Sequence, residues 1–257
     1  MSERAEARGR YLYAIAGGVE GVAAREGRGY GPVGIDGGEV YAISGSGLAA
    51  VVSDVPNRRI RPERRHLSAH QEVLKRLMEE DTVLPMSFGM IADSPQAVRE
   101  ILSKNRDTLT EQLQRLAGKV EMGLRVVWDV PNIFEYFVNT HPELRAARDR
   151  LFGAHREPTL EEKIEMGRMF ERIQTEDREA HAGAVEEVLA PRCFEIRRNP
   201  PRHEREVMHL ACLVGRAARA EFEAGVFEAA RRFDDSFAFD YNGPWAPHNF
   251  IEIDLKI

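Results

Sequence analysis

Residues 82–91 read TVLPMSFGMI, and the conformation of this run decides the fold of the first half of the chain. Val83, Leu84, Met86, Phe88, Met90 and Ile91 are apolar; acidic residues precede them and Ala-Asp-Ser-Pro follows. A short apolar run between turn signals suits a buried strand, although periodicity alone leaves a buried helix open. Pro85 decides for the strand. It keeps Leu84 out of the α region and offers no amide to a ladder, so the segment is extended and starts or edges a sheet. Gly89 permits a sharp turn or bulge at the strand end. Upstream, residues 66–80 (HLSAHQEVLKRLMEE) place Leu67, Val73, Leu74, Leu77 and Met78 at helical spacing, which predicts a helix with one buried face.

Working outward toward the N-terminus, residues 57–65 are basic and carry Pro62. Residues 39–43 and 48–55 are β-prone runs joined by Ser-Gly-Ser-Gly, a hairpin pattern. Residues 17–38 are too glycine-rich for a regular element and read as loop. Residues 11–16 read as a strand and residues 1–9 as a disordered arm. Downstream, Ser94 is a candidate helix cap with Pro95 at the first helical position. That helix runs to about residue 103, and a further helix runs to residue 117. Residues 1–117 are therefore expected to form an α+β domain with about four strands and two or three helices.

Gly118 opens a second domain, residues 118–242. Residues 119–130 read as a strand, and Pro131 and Pro142 start two helices. Thr159 with Glu162 makes a capping-box pattern before a long helix to residue 189. Residues 192–198 and 206–214 read as strands around an Asn-Pro-Pro turn, followed by a helix over 216–233 and a strand over 236–241. The order β-α-β-β-α-β is the ferredoxin-like pattern with an enlarged first crossover. Two registers are open for the hairpin. One sets Cys193 opposite Cys212. A one-residue shift matches the apolar face better, so the cysteines are expected on opposite faces and reduced. In the tail, residues 243–257, Pro244 and Pro247 enforce extended backbone. Ile251, Ile253, Leu255 and Ile257 alternate with charged residues as in a half-buried strand. The tail is expected to pack near residues 84–88, with Trp245 as anchor, and to clamp the two domains.

The totals limit the function classes. A chain of 257 residues suits two domains of roughly 100 to 150 residues. The net charge of −6 argues against a nucleic-acid partner, whose affinity rests on phosphate neutralisation. With two cysteines, Cys193 and Cys212, the chain is not a disulfide scaffold. The start is polar, with no secretory signal pattern, and no apolar run approaches the roughly 20 residues of a membrane span. The expectation is a soluble cytoplasmic protein without a lipid-membrane partner.

Candidate chemical sites are sparse. Gly29, Gly31 and Gly34 spell G-x-G-x-x-G, but no strand precedes the motif and no helix follows, as dinucleotide binding requires. His66 and His70 share a helix face at the spacing of a metal pair, yet no further ligands accompany them. His70 is better read as a histidine bonded to backbone near the Leu84–Pro85 bend. The charges of residues 143–179, with Arg172 four from Glu176 and Arg145 four from Asp149, make a solvated face or a partner-docking helix. Phe237, Phe239 and Tyr241 line one face of a strand and read as core rather than as base-stacking platforms. No catalytic residue, cofactor site or metal site is expected.

The H-L-S-A-H helix followed by T-V-L-P-M-S-F-G resembles the GvpL/GvpF family of gas vesicle proteins. YLYAIAG near the start, GLAAVVSDV and the late GPWAPHNF carry the same resemblance, which runs from Tyr11 to about Phe250. The family more often has a second proline and an aromatic where this chain has Ala246 and His248. The resemblance implies a structural motif at His70, Leu84, Pro85, Phe88, Gly89, Gly243, Pro244, Trp245 and Phe250. It also implies an accessory or minor structural protein of gas vesicles, which binds the small, apolar major shell protein, and other accessory proteins, during nucleation or assembly. Strand addition at a sheet edge or capture in an apolar groove are the physical routes. The alternative is an enzyme or small-ligand module on a ferredoxin-like scaffold, since that scaffold hosts many functions.

Overall fold

The computed structural model of the chain describes residues 8–17, 27–153 and 157–256. The fold is mixed α+β with two antiparallel sheets. It divides into two compact units, one made of Met1–Glu121 with Pro244–Ile257 and the other of Met122–Gly243.

In the first unit, β1 (Arg8–Ala16) lies between β4 (Leu48–Pro56) on one side and β5 (Val83–Pro85) with β6 (Ile91–Ala92) on the other. Strands β2 (Gly29–Gly31) and β3 (Val40–Gly45) complete the order β2-β3-β4-β1-β5. Tyr11, Leu12, Tyr13, Ala14, Ile15 and Ala16 have no exposed surface. Helix α1 (Arg64–Glu80) buries His66, His70, Val73, Leu74, Leu77 and Met78, the one-faced spacing of an amphipathic helix. Helix α2 (Pro95–Lys104) starts where Ser94 Oγ accepts from Ala97 N at 3.1 Å, and α3 (Arg106–Leu116) follows.

The run at 82–91 is two short strands on the same partner. Val83 faces Ala16 and Pro85 faces Ala14. The chain then leaves the ladder, turns at Gly89 (φ 90°), and returns to set Ile91 opposite Tyr11. Pro85 ends β5 at the rim of the sheet, where its missing amide removes no ladder bond.

Several expectations are corrected here. The sheet has six strands rather than about four, because strands of two or three residues carry no periodicity. Part of the glycine-rich loop pairs as β2, and another part forms a 3-10 turn, Ile35–Gly37. Arg8 and Gly9 belong to β1 rather than to an arm; residues 1–7 lie outside the described residues.

In the second unit, β7 (Lys119–Trp128), β8 (Glu195–Asn199), β9 (Glu206–Gly215) and β10 (Phe237–Trp245) are ordered β10-β7-β9-β8. Helices α4 (Ile133–Thr140), α5 (Pro142–Gly153) and α6 (Leu160–Leu189) separate β7 from β8, and α7 (Arg219–Ala230) separates β9 from β10. Thr159 and Glu162 close the capping box at the start of α6. Trp128, Phe137, Leu210, Cys212 and Phe222 lie in one apolar core, and Phe237, Phe239 and Tyr241 pack against it. Arg172 pairs with Glu176 at 3.0 Å. Arg145 does not pair with Asp149; it donates to the carbonyls of Val138 and Asn139 at the end of α4.

Neither expected hairpin register occurs. Ile196 faces Cys212 and Asn199 faces His209, because the connection is a loop over 200–205 rather than a tight Asn-Pro-Pro turn. Fully buried Glu206 organises it: its carboxylate accepts from Arg202 N at 2.5 Å and its own amide donates to the His203 carbonyl at 3.0 Å. Cys193 therefore precedes the strand, and its thiol meets that of Cys212 instead of pointing to the opposite face. This hydrogen bond lowers the Cys193 pKa. Both cysteines are free thiols.

The tail also differs from expectation. Strand β10 continues through Gly243 and Pro244 to Trp245, extended as the prolines demand and at the rim of its sheet. Trp245 is 42% exposed there, so it is not the anchor. Ala246, in the core of the first unit, and fully buried Phe250, at the end of a 3-10 turn (His248–Phe250), take that role. Residues 251–256 form no strand, yet half-buried Ile251, Ile253 and Leu255 alternate with exposed Glu252, Asp254 and Lys256. Ile257 lies outside the described residues. Phe250→Ala should accordingly cost about 3–5 kcal/mol in chemical denaturation, whereas Trp245→Ala should stay within about 1 kcal/mol of wild type. Equal losses for the two would restore Trp245 as the anchor.

Candidate functional site

His70, two turns into α1, is 3% exposed and surrounded by rings. Its centroid lies 5.7 Å from Tyr11, 5.6 Å from Tyr13, 5.9 Å from Phe88 and 6.4 Å from His248. The partner of His70 Nδ1 is the Tyr11 hydroxyl at 2.9 Å, a side chain the sequence did not suggest. That hydroxyl also accepts from Gly89 N at 3.1 Å. It is satisfied when it donates to Nδ1, which leaves the imidazole proton on Nε2. The Met86 backbone, beside the Leu84–Pro85 bend, also acts on the ring and favours its protonated form, while Nε2 makes no hydrogen bond of good geometry. Met86 N in turn donates to Tyr13 O at 2.8 Å. Tyr13 Oη bonds Ser53 Oγ and accepts from Ile35 N, each at 2.8 Å.

The electrostatics follow from this burial. Desolvation first, and His248 second, push His70 down to about 4. Burial also lowers His248 and raises Tyr11 and Tyr13. His70 is thus a neutral, hydrogen-bonded core residue. His66 is held separately, Nδ1 on the Arg61 carbonyl at 2.9 Å and Nε2 on Asp36 at 3.1 Å. Among the described residues no group of three or more His, Cys, Asp or Glu is placed to hold a metal ion. No helix among them is long and apolar enough to cross a membrane.

Of the glycines at 29, 31 and 34, Gly34 serves close packing, whereas Gly31 takes a positive φ of 85° and Gly29 borders open space. A Cβ on Gly34 would stand 2.7 Å from both the Gly38 carbonyl and Tyr13 Oη. Of the expected motif residues, Leu84, Pro85, Phe88 and Gly89 gather around β1 with His70, and Ala246 and His248 reach the same core. Gly243 and Pro244 carry the chain toward it, and Trp245 faces solvent.

Sequence reasoning missed the polar residues that hold this tail. Glu121 accepts from Asn249 N at 2.9 Å and Asn249 Nδ2 at 2.6 Å. Burial raises its pKa, and the two Asn249 bonds oppose that shift. Arg115 Nη1 donates to Phe250 O at 2.9 Å, and Glu252 N donates to Gln112 Oε1 at 3.3 Å. Asn105 bonds both the amide and the carbonyl of Lys256. The one available signal was a carboxylate, Glu121, between the apolar Val120 and Met122 of β7.

Exposed large apolar side chains include Phe194 (66%) and Phe227 (54%), and three more lie on α5 and α6. Phe152 is 64%, Leu160 74% and Ile164 45% exposed. A cleft of about 280 Å³ opens between these helices, lined by Ala147, Leu151, Met166 and Met169 with Arg150 and Glu162.

Comparisons with known proteins agree with one another. The sequence profile described as "Gas vesicle synthesis protein GvpL/GvpF" matches residues 9–252. Gas vesicle protein F of Nostoc sp. is 26% identical over 223 residues, 86% of this chain and 91% of that protein. Gas vesicle protein F of Streptomyces sp. is 29% identical over 80% of this chain and 84% of its own length. The crystal structure of GvpF from Anabaena sp. superposes with a TM-score of 0.80 at 25% identity, covering 96% of this chain and 99% of that one.

The buried histidines make stability depend on pH. His70 has a folded-state pKa near 4 against an unfolded value of about 6.5. The unfolded state therefore binds the extra proton first. Stability is fully present above about pH 6.5 and is lost as pH falls toward 4, by about 3 kcal/mol for His70. In denaturation series at pH 7.5 and 5, His70→Gln should show a markedly smaller loss than wild type. Equal losses would mean that His70 is not the group responsible.

Proposed function

This chain belongs to the GvpL/GvpF family of gas vesicle proteins, and we propose that it serves gas vesicle formation by binding the major shell protein and assisting nucleation or assembly of the shell. The reading is one of binding without turnover, in the cytoplasm and at the vesicle. The perturbed histidine, His70, owes its state to burial among aromatic rings rather than to a pocket holding a substrate.

The observation that carries the proposal is the apolar surface of α5 and α6. Phe152 ends α5, and Leu160 and Ile164 stand one turn apart at the start of α6. Leu160 and Ile164 share a helix face, and neighbouring exposed apolar side chains mark protein contacts. Met166 and Met169 line the adjoining cleft, and methionine adapts its shape to an apolar partner. Flanking charges such as Arg150 and Glu162 would form a polar rim. The order β10-β7-β9-β8, with helices between β7 and β8 and between β9 and β10, supports reading the second unit as ferredoxin-like with an enlarged first crossover.

The combined variant Phe152→Asp, Leu160→Asp, Ile164→Asp should stay within roughly 1–1.5 kcal/mol of wild-type stability, because each site is exposed. Co-purification of the major shell protein from cells forming vesicles should fall by about tenfold or more. Undiminished recovery with the variant would exclude this surface. Failure of the wild-type chain to recover shell protein would exclude the binding role itself.

A further inference from the structure

Cys193 and Cys212 lie outside the cluster around His70 and the apolar surface of α5 and α6. Cys212 of β9 has no exposed surface, whereas Cys193 is half-buried and packs against the core that contains Cys212. Their thiols share a hydrogen bond. A local irregularity brings them together. Ile196 faces Cys212 across the ladder. Strict alternation would set Cys193, three residues before Ile196, on the opposite face. Phe194 N, however, donates to the Leu213 carbonyl at 2.8 Å, and Glu195 also faces Leu213. Two residues against one make a β-bulge. The extra residue returns Cys193 to the face of Cys212 and leaves Phe194 exposed.

The surroundings suit a reactive thiol. The Cys212 hydrogen bond favours the Cys193 thiolate, burial opposes it, and the neighbouring Arg192 guanidinium favours it again. Arg192 is held in place by Glu228 at 2.7 Å and by the Val188 carbonyl at 2.5 Å. Cys193 retains some contact with solvent, and Cys212 behind it has none. An accessible thiol with thiolate character, backed by a second thiol within reach, is the arrangement of a reacting cysteine and its resolving partner.

We propose that Cys193 is a peroxide-reactive thiol and Cys212 its resolving partner, so that a hydroperoxide converts the pair into a disulfide that pins the entry of β8 to β9. In the first step the Cys193 thiolate attacks one peroxide oxygen. An S–O bond forms, the O–O bond breaks, and the other oxygen leaves with a proton, as water when the oxidant is hydrogen peroxide. Cys193 becomes a sulfenic acid, and the two electrons it gives up reduce the peroxide. The Cys212 sulfur then attacks the Cys193 sulfur. An S–S bond forms, the S–O bond breaks, and the departing hydroxide takes the Cys212 thiol proton as a second water. Thiol reductants restore both cysteines, as in disulfides that sense redox state. Strand β8 is the outermost of its sheet, so the bridge fastens the strand that has a neighbour on one side only. This inference does not depend on shell-protein binding.

The test treats the reduced full-length chain with hydrogen peroxide and maps its tryptic peptides by mass. Peptides 193–197 and 206–216 should appear joined within one chain, lighter together by two hydrogens, and dithiothreitol should separate them. In Cys212→Ala, peroxide should leave a sulfenic acid on Cys193 that dimedone traps. In Cys193→Ala, loss of the Cys212 thiol should slow by about tenfold or more, because Cys212 is closed to solvent. The wild-type map decides the matter even where a variant fails to fold. Wild-type chain that keeps both thiols, that joins these peptides only between two chains, or that carries sulfinic acid on Cys193 beside a free Cys212 would overturn the proposal. So would equal rates of Cys212 loss with and without Cys193.

Discussion

The Tyr11 hydroxyl is the interaction on which the first unit depends. A phenol removed from water is costly unless it is hydrogen-bonded. Two groups far away in sequence satisfy it: His70, 59 residues on, and the Gly89 amide, 78 residues on. Neighbouring Tyr13 makes the same demand and meets it through Ser53 and the Ile35 amide. Strand β1, helix α1, the turn after β5, strand β4 and the glycine-rich segment are thereby tied to one register. A shift of one residue would turn these hydroxyls to the other face of the sheet and leave their partners unpaired.

The same physics recurs in the second unit. Gln174 and Arg178 of α6 donate to the Glu204 carbonyl at 3.0 and 2.8 Å, and Arg178 also donates to the Glu206 carbonyl at 2.9 Å. Arg178 lies 5.5 Å over the Trp128 ring, which adds a cation–π contact. The loop before β9 is thus held by the long helix, and the hairpin register follows from that hold rather than from the tight turn its prolines suggest. Buried polar groups, not the abundant surface ion pairs, specify the structure. The surface pairs on α6 are worth a few tenths of a kcal/mol each.

Burial and exposure divide the molecule by role. The histidine and tyrosine cluster is closed to solvent and chemically quiet. Exposed apolar side chains lie elsewhere, among them Phe152, Leu160 and Ile164 on α5 and α6.

The chain's own pattern was enough to determine helix α1, helices α2 and α6 with their caps, the long strands, the extended backbone at Pro85 and Pro244, and the family. These follow from local rules: spacing of apolar residues, capping side chains and the missing amide of proline act within a few residues of each other. The six-stranded count, the partner of His70, the loop at 200–205, the exposure of Trp245 and the hold of Asn105 and Gln112 on the tail were decided only in three dimensions. Each depends on which distant group reaches a buried donor or acceptor, as Asn105 reaches Lys256 across 151 residues. No local periodicity encodes such a meeting. It is selected because a buried polar atom without a partner costs more than the ordering of the chain that supplies one.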